Sequence, residues 1–264
     1  MEWWIIYLLM GLFVGFFAGL LGIGGGLILV TLMVYLFTLQ GFPADRVLHL
    51  ALGTSITSIV FTSISSLRAH HKHGAVRWDI MRTAVPGLII GTLLGTVVAD
   101  QMKSKYLAIF FVIFVYCSAL QMFANAKPKP TRQLPGKSGM TLTAIIVGIV
   151  SSLVGVGGGV MTIPLMSHCN VPMRQAIGTS AALGLPIAIA GTVGFIVTGL
   201  GKDHLPAPSL GYVYLPALAG IVVGTFFTVP WGAKMAHSMP VTRLKKIFAV
   251  VLFVLATKML FTLF

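Results

Sequence analysis

The sequence predicts an all-α polytopic membrane protein built from two inverted repeats, each a glycine-broken helical hairpin followed by three transmembrane helices. Three observations lead there. Hydrophobic residues make up 57% of the chain and charged residues 9%, a mixture far from that of a soluble domain. Apolar runs long enough to cross a bilayer recur eight times. A pair of glycine-containing motifs occurs twice in the same order, which marks an internal duplication.

The eight runs fall at about Trp3 to Leu39, Leu48 to Leu67, Ala84 to Ala99, Tyr106 to Ala124, Met140 to Met166, Ala176 to Leu200, Tyr212 to Val229 and Ile247 to Phe264. With hairpins they allow up to ten helices, and no length remains for a soluble domain. Only Glu2 precedes the first run, so a cleaved signal peptide is not expected. Cys117 and Cys169 lie in or beside apolar segments without partner spacing, which argues against a disulfide framework and a thiolate metal site.

The duplication sets the domain boundaries. Gly22-Ile-Gly-Gly-Gly26 returns as Gly155-Val-Gly-Gly-Gly159, and Gly53-Thr54-Ser55 returns as Gly178-Thr179-Ser180. Gly91 and Gly95 correspond to Gly220 and Gly224, and Leu107, Phe111, Ala119 and Met122 to Leu244, Phe248, Ala256 and Met259. Residues 1–125 are then repeat 1, 126–138 a basic, proline-bearing cytoplasmic linker, and 139–264 repeat 2.

Charge orients the halves. Eighteen Lys and Arg stand against five Asp and Glu, clustered in short loops as the topology rule for basic residues requires, and nucleic acid is not an expected partner. If every run crossed once, the two sides would carry almost equal numbers of basic residues. If each glycine cluster instead turns its run back to the side it came from, thirteen of the eighteen fall inside. Length agrees, because thirty-seven residues from Trp3 to Leu39 would make a straight helix of roughly 55 Å against a hydrocarbon core of about 30 Å. A hairpin plus three spans changes sides an odd number of times, so the second repeat is inverted relative to the first and both termini lie on the outer side. Inverted repeats of this kind place a substrate site near the midplane where they meet.

Backbone without helical hydrogen bonds is tolerated at membrane depth only when packed in protein or lining an aqueous cavity. Successive glycines can present several N–H groups in a concave nest that attracts anions. Gly24, Gly25 and Gly26 with Gly157, Gly158 and Gly159 are therefore the candidate donors, joined by the hydroxyls of Thr54, Ser55, Thr179 and Ser180. The alternative is that the glycines only permit tight turns and that the hydroxyls bond back to their own helices. Occurrence of both motifs twice favours the site. No carboxylate falls within a predicted span except at the ends, so neutral donors for an anion fit better than acidic ligands for a cation.

Arg174, just before Gly178, is placed either to guide an anion inward or to anchor the topology, and Arg46 and His49 hold the equivalent outer position. The ladders Gly11, Gly15, Gly19 and Gly87, Gly91, Gly95 have the spacing of close helix contacts. His70, His71 and His73 lie in a basic loop and are expected to be solvated rather than metal-bound. Pro164 and Pro186 are expected to end or kink helices. Trp3, Trp4, Trp78 and Trp231 fit interface anchors.

The stretches "GLLGIGGGLILV", "ALGTSITS" and "HGAVRWDIMRTAVPGLIIGTLLGT", with "VGVGGGVMTIPLM", "RQAIGTSAALGLPIAIAGT" and "GYVYLPALAGIVVGT", resemble the sulfite exporter TauE/SafE family, also called the 4-toluene sulfonate uptake permease family. The resemblance spans nearly the whole chain, although the family's acidic residue before the Trp is Arg77 here. It implies a bacterial inner-membrane transporter of sulfur-containing anions such as sulfite, sulfoacetate, thiosulfate or organosulfonates, often exporting them. The expected partners are that anion and the lipid bilayer, with a homo-oligomer such as a dimer left open. No cofactor and no metal are expected, and no Walker motif is present. An anion channel, or a transporter of another small organic or inorganic anion, could use the same nests. A membrane enzyme would need an activated nucleophile or metal, and no His, Cys and carboxylate set lies within reach of one plane.

Overall fold

The computed structural model describes residues 2–21, 25–124, 133–236 and 241–263. Among them are ten α-helices: α1 (Glu2–Leu21), α2 (Gly26–Leu39), α3 (Val47–Lys72), α4 (Trp78–Gln101), α5 (Ser104–Phe123), α6 (Lys137–Val154), α7 (Gly159–His168), α8 (Met173–Gly199), α9 (Leu215–Ala236) and α10 (Val241–Leu263). Six stretches of the described residues, in α3, α4, α5, α6, α8 and α9, are long and apolar enough to cross a membrane, so the all-α polytopic class is observed. Among the described residues the one sheet is a pair of antiparallel two-residue strands, β1 (Ser209–Leu210) and β2 (Val213–Tyr214), in the connection leading to α9.

Both glycine clusters break helices, and each broken pair is a hairpin. The phenol oxygen of Tyr7 near the start of α1 accepts a hydrogen bond from Gln40 Nε2, just past the end of α2, at 2.6 Å. The Tyr7 ring also meets Phe37 of α2 edge-on at 6.5 Å. α1 and α2 therefore open at one end and turn at the other. In the second pair α6 runs parallel to α4, with Gly87 against Thr141 and Gly95 against Ile149. α7 runs back toward the beginning of α8, where Thr162 touches Ser180. The starts of α4, α6 and α8 and the end of α7 share one end of the molecule, because Gly178 in the first turns of α8 packs on Ala75, just before α4.

The halves interlock helix by helix. α1 packs along α9 and α6 along α4, while α3 crosses α8 and α5 lies against α10. Glycine ladders make the first two contacts close: a Cβ on Gly11 would stand 2.6 Å from the Ile221 carbonyl, and one on Gly148 2.7 Å from the Thr92 nitrogen. Interfaces of small residues let helix backbones approach in the absence of a strong apolar driving force between helices in lipid. Gly11 and Gly15 of the first ladder and Gly87, Gly91 and Gly95 of the second are packing surfaces, as their spacing predicts.

Of the two effects expected of Pro164 and Pro186, ending a helix is not seen, because both lie inside α7 and α8. The run expected to begin at Tyr212 becomes helical only at Leu215, because Gly211 adopts a positive φ of 56° in a turn that directs Tyr212 inward. The linker at 126–138 lies mostly outside the described residues.

Candidate functional site

The Gly-Thr-Ser motifs sit in α3 and α8 and are fully buried. Thr54 Oγ1 accepts from the backbone N–H of Tyr214 at 3.0 Å, and Thr179 Oγ1 accepts from that of Arg77 at 2.9 Å. Tyr214 and Arg77 immediately precede α9 and α4, so each threonine holds the entry to a long helix of the other half. The glycine before each threonine makes room. A Cβ on Gly178 would stand 2.6 Å from the Ala75 carbonyl, and one on Gly53 would clash with that of Tyr212. Gly-Thr is thus a docking pair in which the small residue admits a loop and the hydroxyl satisfies a part-buried N–H.

The serines face the glycine turns. Ser55 Oγ donates to the Gly155 carbonyl at 3.0 Å, and Ser180 Oγ pairs with Thr162 Oγ1 at 2.6 Å. Gly25 and Gly158 are the N-caps of α2 and α7, with φ of 64° and 77°, in the left-handed region that glycine enters without a Cβ penalty. Gly25, Gly26 and Gly155 through Gly159 are all buried. The turns touch: a Cβ on Gly26 would stand 2.6 Å from the Gly155 carbonyl and 3.0 Å from Val156 Cγ1. Of the sequence-predicted residues, Gly25, Gly26, Ser55, Gly157, Gly158, Gly159 and Ser180 gather around this meeting point. Thr54 and Thr179 flank it, and Gly24 lies outside the described residues.

Arg174 stands apart. It is exposed at the start of α8, and its Nη2 donates to the His73 carbonyl at 3.1 Å, bracing the loop that Thr179 also holds. In that loop the Arg77 guanidinium donates from Nε to Asp79 at 2.8 Å, and this bond raises its pKa above the ordinary value. His73 bonds through Nδ1 to the Ala69 carbonyl and His71 meets Trp78 edge-on. No three His, Cys, Asp or Glu among the described residues gather as a metal site.

The opposite end carries a network that sequence reading largely missed. Asp100, at the end of α4, accepts from the Tyr212 hydroxyl at 2.7 Å and from Lys202 Nζ at 2.9 Å. Arg46 Nη1 donates to the same Tyr212 oxygen at 2.9 Å. Burial and the neighbouring Asp100 carboxylate push the Tyr212 phenol well above its ordinary pKa. His49 is buried against the Tyr212 ring, with Nε2 2.9 Å from the Ala99 carbonyl. Arg46 and His49 were visible before Gly53, but their partners are 50 to 166 residues distant and carry no periodic signal.

The motif serines and the N-termini of α2 and α7 lie around buried, non-helical backbone where the hairpins meet. The fold thereby defines a class: a multi-pass, all-helical membrane protein that keeps two broken hairpins in contact inside its core. The chain belongs to the sulfite exporter TauE/SafE family, whose sequence profile matches residues 7–259, and it is a membrane transporter. It is 36% identical over 256 residues to a "Probable membrane transporter protein" of Haemophilus influenzae, covering 97% of each chain. It is 25% identical over 277 residues to "Probable membrane transporter protein YunE" of Bacillus subtilis, again with 97% of each covered. Over 294 residues it is 25% identical to "Probable membrane transporter protein MamO" of Magnetospirillum gryphiswaldense, spanning 96% of this chain and 44% of that one. No solved structure matches the chain.

Proposed function

We propose that this protein is a secondary transporter, working as an exporter, of sulfur-containing anions such as sulfite, sulfoacetate, thiosulfate or other organosulfonates, and that it is not an enzyme. It resides in the bacterial inner membrane with both termini outside, and its halves are inverted repeats that expose one midplane site alternately to each side. The observation that carries the reading is the contact of Gly26 with Gly155, which joins the two broken hairpins in the core. Non-helical backbone buried at the crossing of two halves is where carriers of this architecture bind solute. Support for the inversion comes from the exchange of partners, α1 with α9 and α6 with α4, around the antiparallel pairs α3 with α8 and α5 with α10.

In this reading the amides of Gly24 to Gly26 and Gly157 to Gly159 receive the anion's oxygens, with Ser55 and Ser180 beside them. Thr54 and Thr179 assist by holding the flanking helix entries, and Arg174 draws anions toward the end where α8 begins. No cofactor takes part. The test is counterflow of labelled sulfite between loaded proteoliposomes, with sulfoacetate, thiosulfate and sulfate as competitors. Saturable counterflow that is lost in Gly25→Val supports the carrier. Flux that neither saturates nor shows counterflow identifies an anion channel instead, and absence of flux for all four anions overturns the substrate class.

A further inference from the structure

The two glycine turns occupy matching places in the duplication, yet their surroundings differ. With Gly25 aligned on Gly158, the helix preceding the first turn contributes Val14 and Ala18, and the helix preceding the second contributes Val147 and Ser151. The structure agrees with the alignment. A Cβ on Gly25 would meet Val14 and Ala18, whereas one on Gly158 would have Ser151 Oγ at 3.5 Å and Val147 at 3.7 Å. One helical turn into the following helix the difference recurs, with Leu29 in α2 where α7 has Thr162. Beside Gly25 the neighbours are apolar, whereas beside Gly158 the Ser151 hydroxyl joins the apolar Ile187 and Val147.

Ser151 is fully buried, and its hydroxyl has no hydrogen-bond partner. Serine and threonine inside a helix ordinarily bond back to a carbonyl three or four residues earlier, as Thr31, Thr57 and Thr162 do here. Ser151 does not, although a buried unsatisfied hydroxyl is costly. It lies beside the N-cap of α7, a ten-residue helix whose first N–H groups have no carbonyl a turn earlier to bond. A cavity of about 20 Å³, room for roughly one water, runs along α6 from Met140 to Val147 with Thr162 in its wall. Apart from Thr143 and Thr162 its lining is apolar and does not include Ser151; Val147 and Thr162 bring it beside the second turn.

Building on the transporter reading above, but with one turn in place of two as the anion's seat, we infer that the anion is held asymmetrically, at the second turn, by the Ser151 hydroxyl together with the N-terminus of α7, with the Thr162–Ser180 pair in the wall beside it. Gly25 serves as packing. The ligand class is a small oxyanion, whose charge suits a helix N-terminus and whose oxygens can accept from an unpaired hydroxyl.

The test uses the full chain in detergent and in proteoliposomes. Thermal unfolding of the purified protein is followed with sulfite, thiosulfate, sulfate, phosphate or chloride added, and half-saturation is measured for transport of labelled sulfite. Ser151→Ala should raise half-saturation about tenfold or more, the scale of one hydrogen bond to a charged partner, while leaving the anion-free melting temperature equal or higher. Thr31→Val, which removes a buried hydroxyl from the first hairpin, should leave half-saturation unchanged. Unchanged half-saturation in Ser151→Ala, a lowered anion-free melting temperature, or an equal effect of Thr31→Val overturns the inference. If only phosphate or chloride stabilises the wild type, and does so through Ser151, the asymmetric site stands and the sulfur-anion reading falls. If no anion stabilises the wild type, the site itself is wrong.

Discussion

Thr179 of α8 accepts the backbone N–H of Arg77 at the threshold of α4, and the repeat-related Thr54 of α3 accepts that of Tyr214 at the threshold of α9. The two bonds, at 2.9 Å and 3.0 Å, belong to the two occurrences of the Gly-Thr-Ser motif, and each ties one half of the chain to the other. Loss of either hydroxyl leaves a part-buried N–H without its acceptor. Thr179→Val should therefore destabilise the protein by about 1–3 kcal/mol, and Thr179→Ser by much less. Thermal unfolding in detergent separates the two variants.

The contact between Gly26 and the Gly155 carbonyl leaves no space for a side chain. Gly26→Ala should drive the hairpins apart, costing about 1–3 kcal/mol and abolishing counterflow. Gly136→Ala, where a Cβ meets nothing within 4 Å, should be silent in both measurements. Equal behaviour of the two variants would show that the turns do not need to touch.

At the α4–α6 seam, a Cβ on Gly91 would collide with the Ile145 backbone. Because the neighbour is main chain rather than a flexible side-chain tip, relief requires the helices to separate. Gly91→Leu should abolish recovery of folded, monodisperse protein by size-exclusion chromatography.

Tyr212 gives an alkaline signature. Its phenol pKa is raised in the fold by burial and by Asp100, so the folded state disfavours the phenolate. That preference is fully present below the unfolded tyrosine value of about 10 and is lost as pH climbs above it. Stability should fall with rising pH in this range, and Tyr212→Phe should flatten the fall. A titration of melting temperature against pH for the two proteins checks the sign.

Much of the site was legible because duplication makes chemistry visible twice. Gly25 with Gly158 and Ser55 with Ser180 were found by self-comparison, and all four meet the turns in the structure. The threonines of the same motif could not be assigned this way, since their partners are backbone N–H groups 102 and 160 residues distant. Ser151 was overlooked although a signal existed: repeat 1 has Ala18 where repeat 2 has Ser151, and a difference between repeats is as informative as a match. Asp100 lies at the end of an apolar run, and only the fold brings Tyr212 and Lys202 to it.

By itself the sequence determined the helical class, the number of broken hairpins and the ladders of close contact, because bilayer thickness and the requirement for internal backbone hydrogen bonding are written locally as apolar length and glycine spacing. Which hydroxyls hold the scaffold and which remain free was decided only by the tertiary structure. A hydroxyl's role depends on the donor or acceptor that folding carries to it, and Tyr214 reaches Thr54 across 160 residues of chain.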